Sequence, residues 1–240
     1  MWLEPFRAQH SEDLSFELLG PEEVPATASS MKNDIPIVHQ DDHLVVVHKP
    51  SGLLSVPGRT PDLQDCLWTR LQEQFPEREV FLVHRLDRDT SGLILFAHTQ
   101  EAQTKMGQAF EKRWVDKEYQ ALVHGDLQPH SGVVEGLIRK DWGRIDKPVY
   151  IMDPERGKTS KTTYEVLSRE EGRTRVRLLP ETGRSHQLRV HMQSLGHPIV
   201  GDPIYGLEGE VPPLYLCAVR LAFRHPATGA DVVFETTPEW

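Results

Sequence analysis

Cysteine is nearly absent, with Cys66 and Cys217 the only two in 240 residues. They form no CxxC pair and no metal-like spacing, so the expectation is two buried free thiols rather than a disulfide scaffold. Long apolar runs are missing as well. The longest, LVVV at 44–47 and LILFA at 93–97, fall far short of the ~20 residues a membrane helix needs. The opening MWLEPFRAQHSEDL lacks the basic-then-apolar order of a secretory signal, which predicts a cytoplasmic protein with no membrane partner. Nucleotide loops of the GxxxxGK(S/T) and GxGxxG kinds are absent, and so is a GxSxG elbow. Common ATP, NAD and serine-hydrolase chemistries lose weight accordingly. Twelve histidines raise the question of a metal. However, HExxH spacing is lacking, and the five-residue step from His186 to His191 turns about 140° on a helix. No metal site is expected.

What is present is the composition of an ordinary soluble protein, 38% apolar and 26% charged, with a net charge of −9. That balance argues against a protein that coats nucleic acid, but the charge is uneven. Residues 1–34 hold two basic and seven acidic side chains, whereas residues 156–191 hold nine Lys and Arg against four Glu. A local basic region in an acidic chain can meet phosphate at one face without general stickiness. Residues 1–34, rich in Pro, Glu, Ser and Ala and without periodicity, read as a mobile extension. The folded domain is expected over 35–240.

Along that domain, residues 43–58 predict a strand, a Pro-Ser-Gly turn and a second short apolar piece. Leu67, Leu71 and Phe75 mark an amphipathic helix, and a second is predicted over 99–113 with Thr99 as N-cap. Residues 80–83, 93–98 and 117–125 read as strands; Tyr119, Ala121 and Val123 share one face. Residues 161–168 and 173–179 form a predicted hairpin whose second strand alternates Arg173, Arg175 and Arg177 with core residues. A third helix follows Ser185, its expected N-cap, with Leu188, Met192 and Leu195 inward and Gly196 and Pro198 as stop signals. A last hairpin spans 214–237. The sum is an α+β fold, a mainly antiparallel mixed sheet flanked by helices and long loops.

The stretch VHRLDRDTSGLILFA at 83–97 raises the chemical question. Asp87 stands between Arg85 and Arg88. An acid beside a guanidinium has its ionised form favoured, which suits a nucleophile or base and not a general acid. The plain alternative is a loop ion pair. Asp89, two residues on, is too near to complete a two-carboxylate glycosidase site. In TGRSHQLRVHM, Arg184 lies just before a helix start, where an anion is favoured. Arg189 lies beside core-facing Leu188, at the edge of any pocket there.

Taken together, HRLDRDTSG (84–92), KPSGLLSVPGR (49–59), KEYQALVHG (117–125), GRSHQLRVH (183–191) and LGHPIVGDPIYG (195–206) resemble, in order, the motifs of RluA-type pseudouridine synthases. The resemblance spans about 35–237 and lies nearest the branch without a separate S4 RNA-binding domain. It implies isomerisation of uridine in structured RNA, with neither cofactor nor metal. Catalytic roles are implied for Asp87, for Tyr119 against the target base, and for Arg189 as partner of the acid. Substrate contacts are implied for Arg85, which fills the gap left by the extruded nucleotide, and for His84, Leu188, Arg184 and Lys49. A stem-loop in 23S rRNA, a tRNA anticodon arm, or both would be the target, and a monomer is expected. The competing readings are a catalytically silent RNA-binding protein or RNA chaperone with the same fold, and a metal-free glycosidase. Intact Asp87, Tyr119 and Arg189 count against the first; the arginine-rich strand counts against the second.

Overall fold

The computed structural model describes residues 34–144 and 148–240. The extension expected over 1–34 lies outside the described residues apart from Asp34. Eleven strands and three α-helices are described: β1 Ile37–Gln40, β2 Leu44–Lys49, α1 Leu67–Gln74, β3 Phe81–Leu82, β4 Ser91–Ala97, α2 Gln100–Glu111, β5 Asp116–His124, β6 Ser131–Lys140, β7 Tyr150–Asp153, β8 Lys158–Glu170, β9 Arg173–Pro180, α3 Gln187–Ser194, β10 Leu216–Arg224 and β11 Asp231–Glu235. The strands form one sheet in the order β1-β2-β4-β10-β5-β9-β8-β6-β7, with β11 on β10 and β3 on β4. Every pairing among them is antiparallel except β10 with β4.

The continuous apolar runs of β2 and β4 follow from burial on both faces. Leu44 and Val46, with Leu93, Leu95 and Ala97, face the stripe of α2 made by Ala102, Met106 and Ala109. Val45 and Val47, with Ile94 and Phe96, face Leu67 and Leu71 of α1 on the other side. Thr99 caps α2 as predicted, its side chain accepting from the Ala102 N–H at 3.1 Å.

The second half of the sheet is different. Ala121, Val123, Val176 and Leu178 pack under Leu188 and Met192 of α3. The opposite face carries the predicted row of arginines, but its charge is largely answered. Arg177 bonds Glu118 at 2.9 Å and Glu165 at 2.8 Å, and Arg175 lies 4.8 Å from the Trp240 ring. Tyr119 packs against the cores of both halves, and so sits at their junction.

Two expectations about α3 are corrected. Its N-cap is His186 and not Ser185, with a left-handed backbone (φ 55°) and no side-chain cap bond. Gln187 organises this entry instead: its Oε1 accepts from the Arg184 N–H and the Thr182 hydroxyl, and its Nε2 donates to Lys161 O. The helix is also buried nearly all round, from Gln187 to Met192. The cover on its second side is β7 and the loop before residue 206, where Val190 packs with Val149 and Tyr205.

Candidate active site

The loop between β3 and β4 carries Asp87, and its shape is fixed from outside. Lys49 Nζ donates to the carbonyls of Pro50, Leu53 and Arg88 at 2.7–2.9 Å. Ser51 Oγ donates to Asp89 O, and Ser55 Oγ donates to Leu86 O. Arg88 turns back to Gly52 O at 3.0 Å. Leu86, 5% exposed, anchors the loop in the core beside α1. Segment 49–55 therefore buckles the acid's loop in place. Lys49 does not reach the substrate space: it is wholly buried, with its three protons on three carbonyls. Burial pulls its ammonium down to about 7, against the pull of Asp89 and Asp87. The structure makes it a clamp on the acid's loop, where a substrate contact was expected, and it lines neither of the two cavities at this site.

Gly92 places that loop against β10. Its φ is +103°, and a Cβ there would lie 2.3 Å from Ala218 O. Only glycine lets β4 close on β10 through Cys217–Ser91 and Ala218–Gly92. Ala218 is in turn paired with Tyr119.

A cavity of about 200 Å3 opens at this junction. Asp87, Arg85, Tyr119, Arg184, Leu188 and Arg189 all line it, though they come from three stretches of chain. His84 stands outside it. Its Nε2 accepts from the Leu95 N–H at 3.0 Å, its ring stacks on Phe110, and burial holds it down to about 3, so it is neutral. It lines an adjoining cavity.

Neither neighbouring arginine is the main partner of Asp87. Arg189 Nη1 lies 3.9 Å from Asp87 Oδ2. The guanidinium is 2% exposed, and its fork donates through Nε and Nη2 to Asp202, both at 2.7 Å. Asp202 Oδ1 also accepts from the N–H groups of Ile204 and Tyr205. Burial opposes the charge on Arg189, but the Asp202 bonds outweigh it and raise its proton affinity. Tyr205 stacks its ring 5.0 Å from the guanidinium. Its hydroxyl meets His186 Nδ1 at 2.8 Å and accepts from the Tyr150 N–H. Burial pushes that hydroxyl up to about 12. Burial, with the Asp87 carboxylate, pushes the Tyr119 hydroxyl well above its usual range, so it stays protonated.

Asp202 and Tyr205 were absent from the residues expected at the site. The signal for them was in GDPIYG, quoted only as a motif. An acid and an aromatic after a glycine turn suggest no role until Arg189 is found beside them. His186, His191 and His197 go to three different partners: Tyr205, the hydroxyls of Ser160 and Thr162, and His124 O.

The geometry is that of a small pocket with an acid set against a clamped cation, walled by a protonated tyrosine. Residues 43–194 match the family model of RNA pseudouridylate synthase. The chain belongs to that family and is an RNA pseudouridine synthase, an isomerase acting on RNA. Among curated relatives, the dual-specificity RNA pseudouridine synthase RluA of Vibrio vulnificus is 47% identical over 199 residues, covering 79% of this chain and 78% of its own. That of Escherichia coli K12 is 43% identical over 208 residues, covering 85% and 93%. The solved structure of human RNA pseudouridylate synthase domain containing 1 superposes with a TM-score of 0.73 at 28% identity, covering 88% of this chain and 86% of that one. Among the described residues, no helix is long and apolar enough to cross a membrane.

Proposed function

We propose that residues 35–240 form the catalytic domain and isomerise uridines in two kinds of folded RNA, a 23S rRNA stem-loop and a tRNA anticodon arm. The dual specificity in the names of the bacterial relatives supports two targets. The chain acts as a cytoplasmic monomer. The observation that carries the residue assignment is the convergence of Asp87, Tyr119 and Arg189 on one small cavity.

Asp87 acts as the carboxylate, attacking C1′ of the ribose or removing the C2′ proton. Either route breaks the bond from C1′ to N1 of uracil. The freed uracil turns and bonds C1′ through C5. The carboxylate leaves C1′ on the first route or returns the proton to C2′ on the second, and C5 loses its proton while N1 gains one. Arg189 sets a positive charge near the acid without neutralising it by a direct hydrogen bond, because its fork is spent on Asp202. Tyr119 offers a flat, uncharged face while the base turns. Arg85 is exposed at the cavity mouth and occupies the gap left in the RNA stack, offsetting the few kcal/mol of extrusion. Leu188 packs against the base and Arg184 holds a phosphate.

Mapping pseudouridine across total RNA from cells with the chain, without it, and with Asp87→Asn tests this. Loss of the same few sites in both altered strains is the expected result. If no site changes in the altered strains, and purified protein leaves transcribed stem-loops unmodified, the assignment falls and the catalytically silent RNA-binding reading replaces it.

A further inference from the structure

A second cavity, of about 440 Å3, adjoins the first and shares Arg85, Lys117, Tyr119 and the 182–184 turn with it. Four cations line it: Arg85, Arg113, Lys117 and Arg184. Two carboxylates face them, Glu111 and Glu181, and Glu181 is already held by Lys161 at 2.7 Å. The stacked pair of His84 and Phe110 closes one wall, with ring centroids 4.4 Å apart. Since His84 is neutral, the Lys and Arg side chains set the sign of the chamber.

Lys117 stands out among them. It lies two residues before Tyr119 on β5, so both side chains project to the same side of the sheet. Among the described residues, no hydrogen bond or ion pair reaches its Nζ. It is half-buried in the chamber wall. Burial and the Arg113 charge lower its proton affinity, and only Asp116 next along the strand opposes them. A half-buried ammonium beside other cations, with no bonded partner of its own, favours an incoming anion. Lys49 shows how this chain treats a buried ammonium when it is structural, with three acceptors supplied. Lys117 has none supplied. Arg113 follows α2 with its backbone in the left-handed region (φ 61°), its N–H on Phe110 O. That places a second cation on the same chamber.

We propose that this chamber is a phosphodiester subsite in which Lys117 and Arg113 take the backbone phosphate flanking the uridine that enters the Tyr119 cavity. The proposal rests on the RNA reading above and adds to it a site for one particular phosphate.

The test uses the purified full chain and a synthetic tRNA anticodon stem-loop. Single neutral methylphosphonates replace the phosphate on either side of the target uridine. At one of these positions the neutral linkage weakens wild-type binding by roughly tenfold or more, the size of one charge-assisted contact. Lys117→Met alone produces a loss of the same size, and the two losses do not add. Lys117→Arg restores binding to the native RNA. The salt slope of Lys117→Met is shallower by about 0.7–0.9. Its melting temperature stays at the wild-type value, because the ammonium has no bonded partner to lose. Fully additive losses at both flanking phosphates, or a lowered melting temperature with an unchanged salt slope, would overturn the subsite. Wild-type turnover on the same RNA is the control. Its absence would sink the RNA reading and the subsite together, whereas turnover with additive losses sinks the subsite alone.

Discussion

Asp202→Asn removes the charge that clamps Arg189 and changes little else in size. The native carboxylate accepts two bonds from Arg189 at 2.7 Å and one each from the N–H groups of Ile204 and Tyr205 at 2.9 and 3.0 Å. Both side chains are almost wholly buried, 0% and 2% exposed. Breaking such a pair from one side costs about 3–5 kcal/mol, because the surviving charge is left buried without its counter-ion. Asparagine keeps one acceptor oxygen, so the lower end applies. At about 2–4 °C per kcal/mol for a chain of this length, the melting temperature falls by about 6–12 °C. The second effect is chemical. The freed guanidinium has Asp87 as its remaining carboxylate, 3.9 Å away. It moves to hydrogen-bond distance and draws the acid off its position. A misplacement on the order of 1 Å costs about 10²-fold in rate. RNA affinity, which does not depend on this buried pair, stays within a few fold. The assays are thermal unfolding, single-turnover pseudouridine formation below the melting range, and equilibrium RNA binding. A variant with parental melting and parental turnover would refute the clamp.

Asp87→Asn abolishes isomerisation while RNA affinity stays within a few fold; substantial turnover measured by release of the C5 hydrogen would remove Asp87 from the chemistry. His191 is fully buried between the hydroxyls of Ser160 and Thr162, and burial lowers it to about 4. Its folded value is below the unfolded ~6.5, so the unfolded chain binds the proton first, and stability intact above pH ~6.5 is lost at about 1.4 kcal/mol per pH unit down to about pH 4. Denaturation of His191→Gln across this range has a correspondingly shallower pH slope, and an identical slope would refute the assignment. Arg177 is held by Glu118 and Glu165, and Arg175 by Trp240. Alanine at both leaves the salt slope of RNA binding unchanged, and a shallower slope would return this face to the RNA interface.

The parts of the fold legible in the chain were those whose periodicity is local. Thr99 with its stripe, the LVVV and LILFA strands and the alternation of β8 and β9 each carry their own signal. What escaped was relational. VVEGLI in β6 alternates poorly and YIMD in β7 is short, so the cover on the second side of α3 had no sequence mark. Without that cover, Arg189 reads as a pocket-edge side chain and not as a buried one. Asp87 stood out in the sequence because its motif is distinctive. Its cation was found only through the family resemblance, since Arg85 and Arg88 are nearer in sequence and both point elsewhere in function. Lys49 entered only through the family resemblance, and nothing in its local sequence marks its burial. Its burial depends on three carbonyls, one of them 39 residues away.

The two-residue parallel seam between β4 and β10 also sets when this enzyme comes alive. Cys217 must reach Ser91, and Ala218 must reach Gly92, across more than 120 residues. Contacts so far apart in the chain form late, after the entropy of closing the intervening loop has been met. By the time a ribosome has made residue 205, every side chain assigned to the chemistry has been synthesised. The strand that brings Asp87 alongside Tyr119 has not. A nascent chain that stops short of Leu216 therefore holds the full set of reactive groups without the strand that seats the acid's loop beside Tyr119, and such a truncation is expected to be inert on RNA.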